Sequence, residues 1–74
     1  MRRARQHRYE LRICWSPEDR LFVVEIPDLS GCMAHGDTPS DAAANAEDAI
    51  AAWIATAREV GREIPEPRPY QALV

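Results

Sequence analysis

From Tyr9 to Trp15 the chain alternates, with Tyr9, Leu11, Ile13 and Trp15 on one side and Glu10, Arg12 and Cys14 on the other. Period-two alternation marks a half-buried strand. Ser16 to Asp19, Ser-Pro-Glu-Asp, carries turn chemistry, with Pro17 suited to the second turn position. Leu21 to Ile26 then reads as a second strand, apolar on nearly both faces. A loop over Ser16–Asp19 predicts Ile13 opposite Phe22, Leu11 opposite Val24 and Tyr9 opposite Ile26, one continuous apolar face. A slip of one residue would mix the faces, which a half-buried sheet resists. This register sets Glu10 against Glu25, a repulsion that Arg12 on the same face relieves.

Pro27 lacks an amide donor and ends the second strand. Gly31 is expected to turn the chain where a Cβ would clash, Cys32 to His35 form a short third strand, and Gly36 ends it. Thr38-Pro39-Ser40-Asp41 places a cap at Thr38, Pro39 at the first helical position and Asp41 three residues after the cap. The helix is predicted from Pro39 to about Val60 and holds nine Ala, the residue that most favours it. Ala43, Ala46, Ile50, Trp53, Ile54 and Ala57 recur at helical spacing as the buried stripe, and Gly61 is the stop. Ile64 to Pro69 cannot continue a helix. Residues 68–74 form a tail, or a short edge strand in Tyr70–Val74.

The predicted fold is α+β: a three-stranded antiparallel sheet with one long helix on one face, β-β-β-α, with room for a short fourth strand. Trp53 is expected to face Leu11, Ile13 and Val24. One helix covers one face only, so Cys14, Leu21 and Val23 on the other face would be left in water. An exposed apolar patch on a small domain marks an interface, and a homo-oligomer, a dimer at least, is expected through it.

Composition adds limits. Seventy-four residues make one domain, and a chain this short buries only about 60% of its unfolded surface. No segment approaches the roughly 20 apolar residues of a membrane span, and no apolar run follows the basic N-terminus, so a cytoplasmic protein is expected. Cys14 and Cys32 are too few for a disulfide framework. With His7 and His35 they lack the paired spacing of a structural zinc site, and buried cysteines are the better reading. Residues 1–8 carry four Arg and no acid, whereas residues 9–74 hold five Arg against twelve acids, a net −7. The basic arm reads as a disordered terminus, with a nucleic-acid contact as the competing reading. The acidic body suits a basic protein partner.

Catalytic chemistry finds little footing. Asp28, Asp37, Asp41, Glu47 and Asp48 would have to converge to hold divalent ions. Asp37 and Asp41 are accounted for as helix-start residues, Glu47 and Asp48 fall outside the buried stripe, and Asp28 stands in a loop. His35 has no Ser, Cys or acid at a spacing that argues for a triad. Gly31 and Gly36 form no phosphate loop, and the chain has no Lys. No enzyme, cofactor or metal is expected.

The order Pro27, Asp28, Leu29, Gly31, Cys32, then Gly36, Asp37, Thr38 before an Ala-rich helix, resembles the N-terminal domain of the HicB-like antitoxin family. The likeness continues through Ala42, Asn45, Ala49, Ile50 and Trp53 into Gly61–Pro67, so it spans residues 9–67. It departs at Asp41, where the family commonly has Glu. The resemblance implies a partial ribonuclease-H-like fold without the catalytic acids, and binding that silences a small basic RNA-cleaving toxin of the HicA type. Longer members add a C-terminal DNA-binding domain, for which these residues leave no room, so operator binding is not expected. The rival reading is a stand-alone oligomeric domain with a structural or ligand-binding role. A short Lys/Arg-rich protein encoded next door would separate them. Asp28, Leu29 and His35 are the candidate partner contacts, because recognition concentrates on loops and strand edges.

Overall fold

The computed structural model describes residues 7–72, and the chain order is β1 Arg12–Ser16, β2 Leu21–Glu25, β3 Met33–Gly36 and α1 Pro39–Glu59. The strands are antiparallel neighbours in the order β1-β2-β3, with α1 packed chiefly over β2 and β3. Residues 67–72 carry no strand, and Leu73 and Val74 of the expected edge strand lie outside the described residues.

The two faces of the sheet are as the alternation predicts, but the register is not. Ile13 lies opposite Val24 and Trp15 opposite Phe22, so β1 has moved two residues along β2. The cause is the turn. Ser16 and Leu21 form the last pair, and Pro17–Arg20 make the loop, with Arg20 at φ 58°. The Arg20 N–H donates to the Ser16 carbonyl at 2.8 Å and the Ser16 hydroxyl to Asp19 at 3.0 Å. A two-residue shift keeps every side chain on its face and sets Arg12, rather than Glu10, opposite Glu25. The expected repulsion becomes an attraction.

The helix begins as read: the Thr38 hydroxyl accepts from the Asp41 N–H at 3.0 Å, and Pro39 follows the cap. It ends on Val60, where the Arg62 N–H reaches the Ala57 carbonyl at 2.7 Å and the Gly61 N–H reaches Arg58 at 3.3 Å, the paired bonds of a Schellman close. The innermost helical residues are Ala42, Ala46, Ile50 and Ala57; Ala42, not Ala43, is the first. Ala42, Ala46 and Ile50 meet Val24, Ile26, Leu29 and Cys32 in one core.

Small residues at the seam bring α1 close to β3. A Cβ on Gly36 would stand 2.7 Å from the Asp41 carbonyl carbon and against the Ala42 amide. At Gly31 the open-space position of a Cβ shows that no clash requires glycine there; its φ of 76° does.

Because α1 lies over β2 and β3, the helix side of β1 is left thinly covered. Trp15 is 52% exposed and meets Phe22 edge to face with centroids 5.1 Å apart. Trp53, expected to face Leu11, Ile13 and Val24, packs against the core that holds Val24. Its indole N–H donates to the Ser30 carbonyl at 2.9 Å, and the Arg62 guanidinium lies 5.0 Å over its ring.

Candidate partner-binding surface

The three residues named as partner contacts have different surroundings. Leu29 is buried, fixed in a tight turn by its N–H to the Ile26 carbonyl at 3.0 Å, and it belongs to the core. Asp28 holds the returning tail: Arg68 donates to its carboxylate from Nε at 2.6 Å and from the backbone N–H at 3.2 Å. The Asp28 side chain is 8% exposed, so Arg68 occupies the acid that recognition would need. His35 is exposed on β3, on the face away from the helix, and its carbonyl accepts from Asn45 Nδ2 at 2.7 Å.

The tail clasp extends beyond Asp28. The Tyr9 hydroxyl donates to the Pro65 carbonyl, and Arg68 also approaches Glu10 at 3.5 Å. Desolvation raises the Tyr9 pKa, and the negative charges of Glu66 and Asp28 push it the same way. On the helix, Glu47 accepts from both the backbone N–H of His7 at 3.0 Å and its Nδ1 at 2.8 Å. His7 and Arg8 end the basic arm; residues 1–6 of that arm lie outside the described residues.

The carboxylates considered for catalysis are thus dispersed. Asp28 serves the tail, Asp41 the helix start and Glu47 the N-terminal segment. Among the described residues no three His, Cys, Asp or Glu side chains gather as a metal site requires. Also among them, no helix is long and apolar enough to cross a membrane.

Among the described residues, apolar side chains reach the surface on both faces of β1 and β2. Cys14, Leu21 and Val23 share the face turned from the helix, with Cys14 exposed and the other two half-buried. On the helix side, Ile13 and Trp15 form a second strip on β1. Sequence periodicity found the first. It missed the second because alternation tells which face a residue is on, not how far across that face a single helix reaches.

The family model for "HicB_like antitoxin of bacterial toxin-antitoxin system" matches residues 9–74. An uncharacterized 14.9 kDa protein of the rep-hol intergenic region of Haemophilus phage HP1 is 36% identical over 62 residues, covering 84% of this chain and 47% of the phage protein. UPF0150 protein Ta0767 of Thermoplasma acidophilum is 38% identical over 57 residues, covering 77% of this chain and 83% of that protein. The chain therefore spans about half the length of the phage relative. No solved structure matches it significantly.

Proposed function

Because the chain belongs to the HicB-like antitoxin family, we propose that it silences a small, basic, RNA-cleaving toxin of the HicA type in the cytoplasm by covering it directly. The observation that carries this reading is the family match, which runs through both the sheet and the helix. The charge supports it: a body of net −7 over residues 9–74 attracts a basic partner and speeds encounter.

The contact assigned to the toxin is the Ile13–Trp15 strip on the helix side of β1. A half-exposed Trp beside apolar neighbours has the character of an interface anchor, whose truncation commonly costs 2 kcal/mol or more, about 30-fold in affinity. His35 lies on the other face of the sheet, at the opposite edge, and belongs to a separate surface.

The experiment is co-expression with the product of the adjacent reading frame. Growth should be restored and the two proteins should co-purify. Trp15→Ala should fold normally, release the toxin and lose protection, whereas Tyr70→Ala, an aromatic loss elsewhere on the surface, should protect as wild type does. A neighbour that is not toxic, or that never co-purifies with wild type, refutes the antitoxin reading. Full protection by Trp15→Ala leaves that reading standing and removes β1 from it.

A further inference from the structure

We infer that the free edge of β3 is a strand-addition site for a second copy of this chain, so that two sheets join edge to edge across a two-fold axis. This rests on the edge itself and not on the toxin reading.

The ladder between β2 and β3 fixes which backbone groups are free. The Ile26 N–H donates to the Cys32 carbonyl at 3.1 Å, and pairing continues as Val24–Ala34 and Phe22–Gly36. In an antiparallel ladder the residues between such pairs turn their N–H and C=O outward. Those residues are Met33 and His35. The Asn45 side chain reaching the His35 carbonyl at 2.7 Å is an independent sign of that direction. A carbonyl has two lone pairs, so this one still accepts a ladder bond. An antiparallel partner strand centred on Ala34 would set Met33 opposite the partner's His35 and complete a hydrogen-bonded pair on each side of the axis.

The flank of the edge fits a second copy. Met33, 53% exposed, and Val60, 69% exposed, line one trough with Ala49, Ala52, Trp53 and Thr56. Ala49, Ala52 and Thr56 turn the small side of α1 toward the edge, which allows two antiparallel helices the 8–10 Å approach of packed helices.

The charges commit the occupant. Arg62 stands at the Gly31 end of this trough, while Asp37 and Asp41 stand at the Gly36 end of the same strand. Reversing a second copy along the edge brings its Asp37 and Asp41 to the first copy's Arg62, and the reverse. An edge with opposite charges at its two ends is self-complementary under a two-fold axis. The face bearing Cys14, Leu21 and Val23 is the competing site. Two strands of five residues and one of four give it only about 230 Å² of footprint, against roughly 800 Å² per partner in a standard interface.

Sedimentation across a dilution series tests the inference on the full chain. Wild type should be dimeric at micromolar concentration. Arg62→Glu should weaken the dimer about tenfold or more, since like charges then meet. Adding Asp37→Arg to Arg62→Glu should restore it, because the exchanged charges again face each other. Val23→Glu should leave association unchanged. Circular dichroism melts keep loss of folding apart from loss of pairing. A monomeric wild type overturns the inference. So does a dimer that survives Arg62→Glu, a folded double variant that fails to recover, or dissociation by Val23→Glu alone.

Discussion

At β3 the helix crosses the sheet so closely that Gly36 has no room for a Cβ, and Asn45 reaches down to the strand's outer carbonyl. At β1, two strands away, the helix makes few approaches, and Trp15 leans on Phe22 with half of its surface in water. One amphipathic helix can satisfy only part of a three-stranded sheet, so the fold concentrates its stability on one edge. The other edge keeps the apolar strip of Ile13 and Trp15 in water. The difference shows in the two tryptophans. Trp53 has a hydrogen-bonded indole and a guanidinium over its ring, whereas Trp15 keeps an open face.

The hardest test of this division is Gly36→Ala. The new methyl would meet the backbone of Asp41 and Ala42, which cannot rotate away, so α1 must lift from β3. We expect a loss of about 3 kcal/mol or more, most of the margin of so small a domain, read from the denaturant midpoint. A variant that melts as wild type does would mean that the seam yields easily and the edges are not so different.

The tryptophans give the next largest contrast. Trp53→Ala removes packing against the core, the bond to Ser30 and the cover for Arg62, and should cost about 3 kcal/mol. Trp15→Ala should cost less, about 2 kcal/mol or below, because half of the ring is already hydrated. Equal losses in paired thermal melts would erase the contrast between a structural edge and a surface edge.

Much of this was readable before the fold was known. The alternation in Tyr9–Trp15 assigned the sheet faces, and Thr38, Pro39 and Gly61 bounded the helix, since these signals are local. The register was missed by two residues because the turn is set by Arg20 in a left-handed conformation, which few sequences announce for Arg. The roles of Asp28 and Trp53 were hidden for another reason: each depends on a chain segment, Arg68 or Ser30, brought near only by tertiary folding. The likeness around Pro27–Thr38 named the family, yet it could not say that Leu29 would be core.

A smaller effect concerns the tail, which closes over the sheet's loop end beside Tyr9 and Glu10. Asp28→Asn keeps the shape of the side chain but removes the charge that Arg68 grips. Arg68 is largely exposed, so water and salt screen the pair, and the loss should be about 1 kcal/mol or less. Chymotrypsin should nonetheless cut after Tyr70, two residues beyond Arg68, faster in the variant, because cleavage reports local opening. Unchanged cleavage would show that the Tyr9–Pro65 bond alone holds the tail.

The smallest effect compares two cysteines of the same chemistry, one on each side of the division. Cys14 on β1 is exposed; Cys32, just before β3, is buried in the core, and that burial raises its thiol pKa. A thiol reagent should modify Cys14 promptly at neutral pH and reach Cys32 only through opening of the fold, since the thiolate is the reactive form. The same shift links to stability. Folding favours the protonated Cys32, so its contribution is complete below the ordinary thiol value and disappears as pH rises past the folded one. Tyr9, raised by desolvation and by Glu66 and Asp28, acts in the same direction at higher pH. The denaturant midpoint should therefore fall on the alkaline side. Cys32→Ala should flatten the first part of that fall and Tyr9→Phe the later part, while Cys14→Ala should leave the profile in place. An alkaline profile that tracks Cys14 instead would place the buried thiol on β1 and reverse the assignment of the two edges.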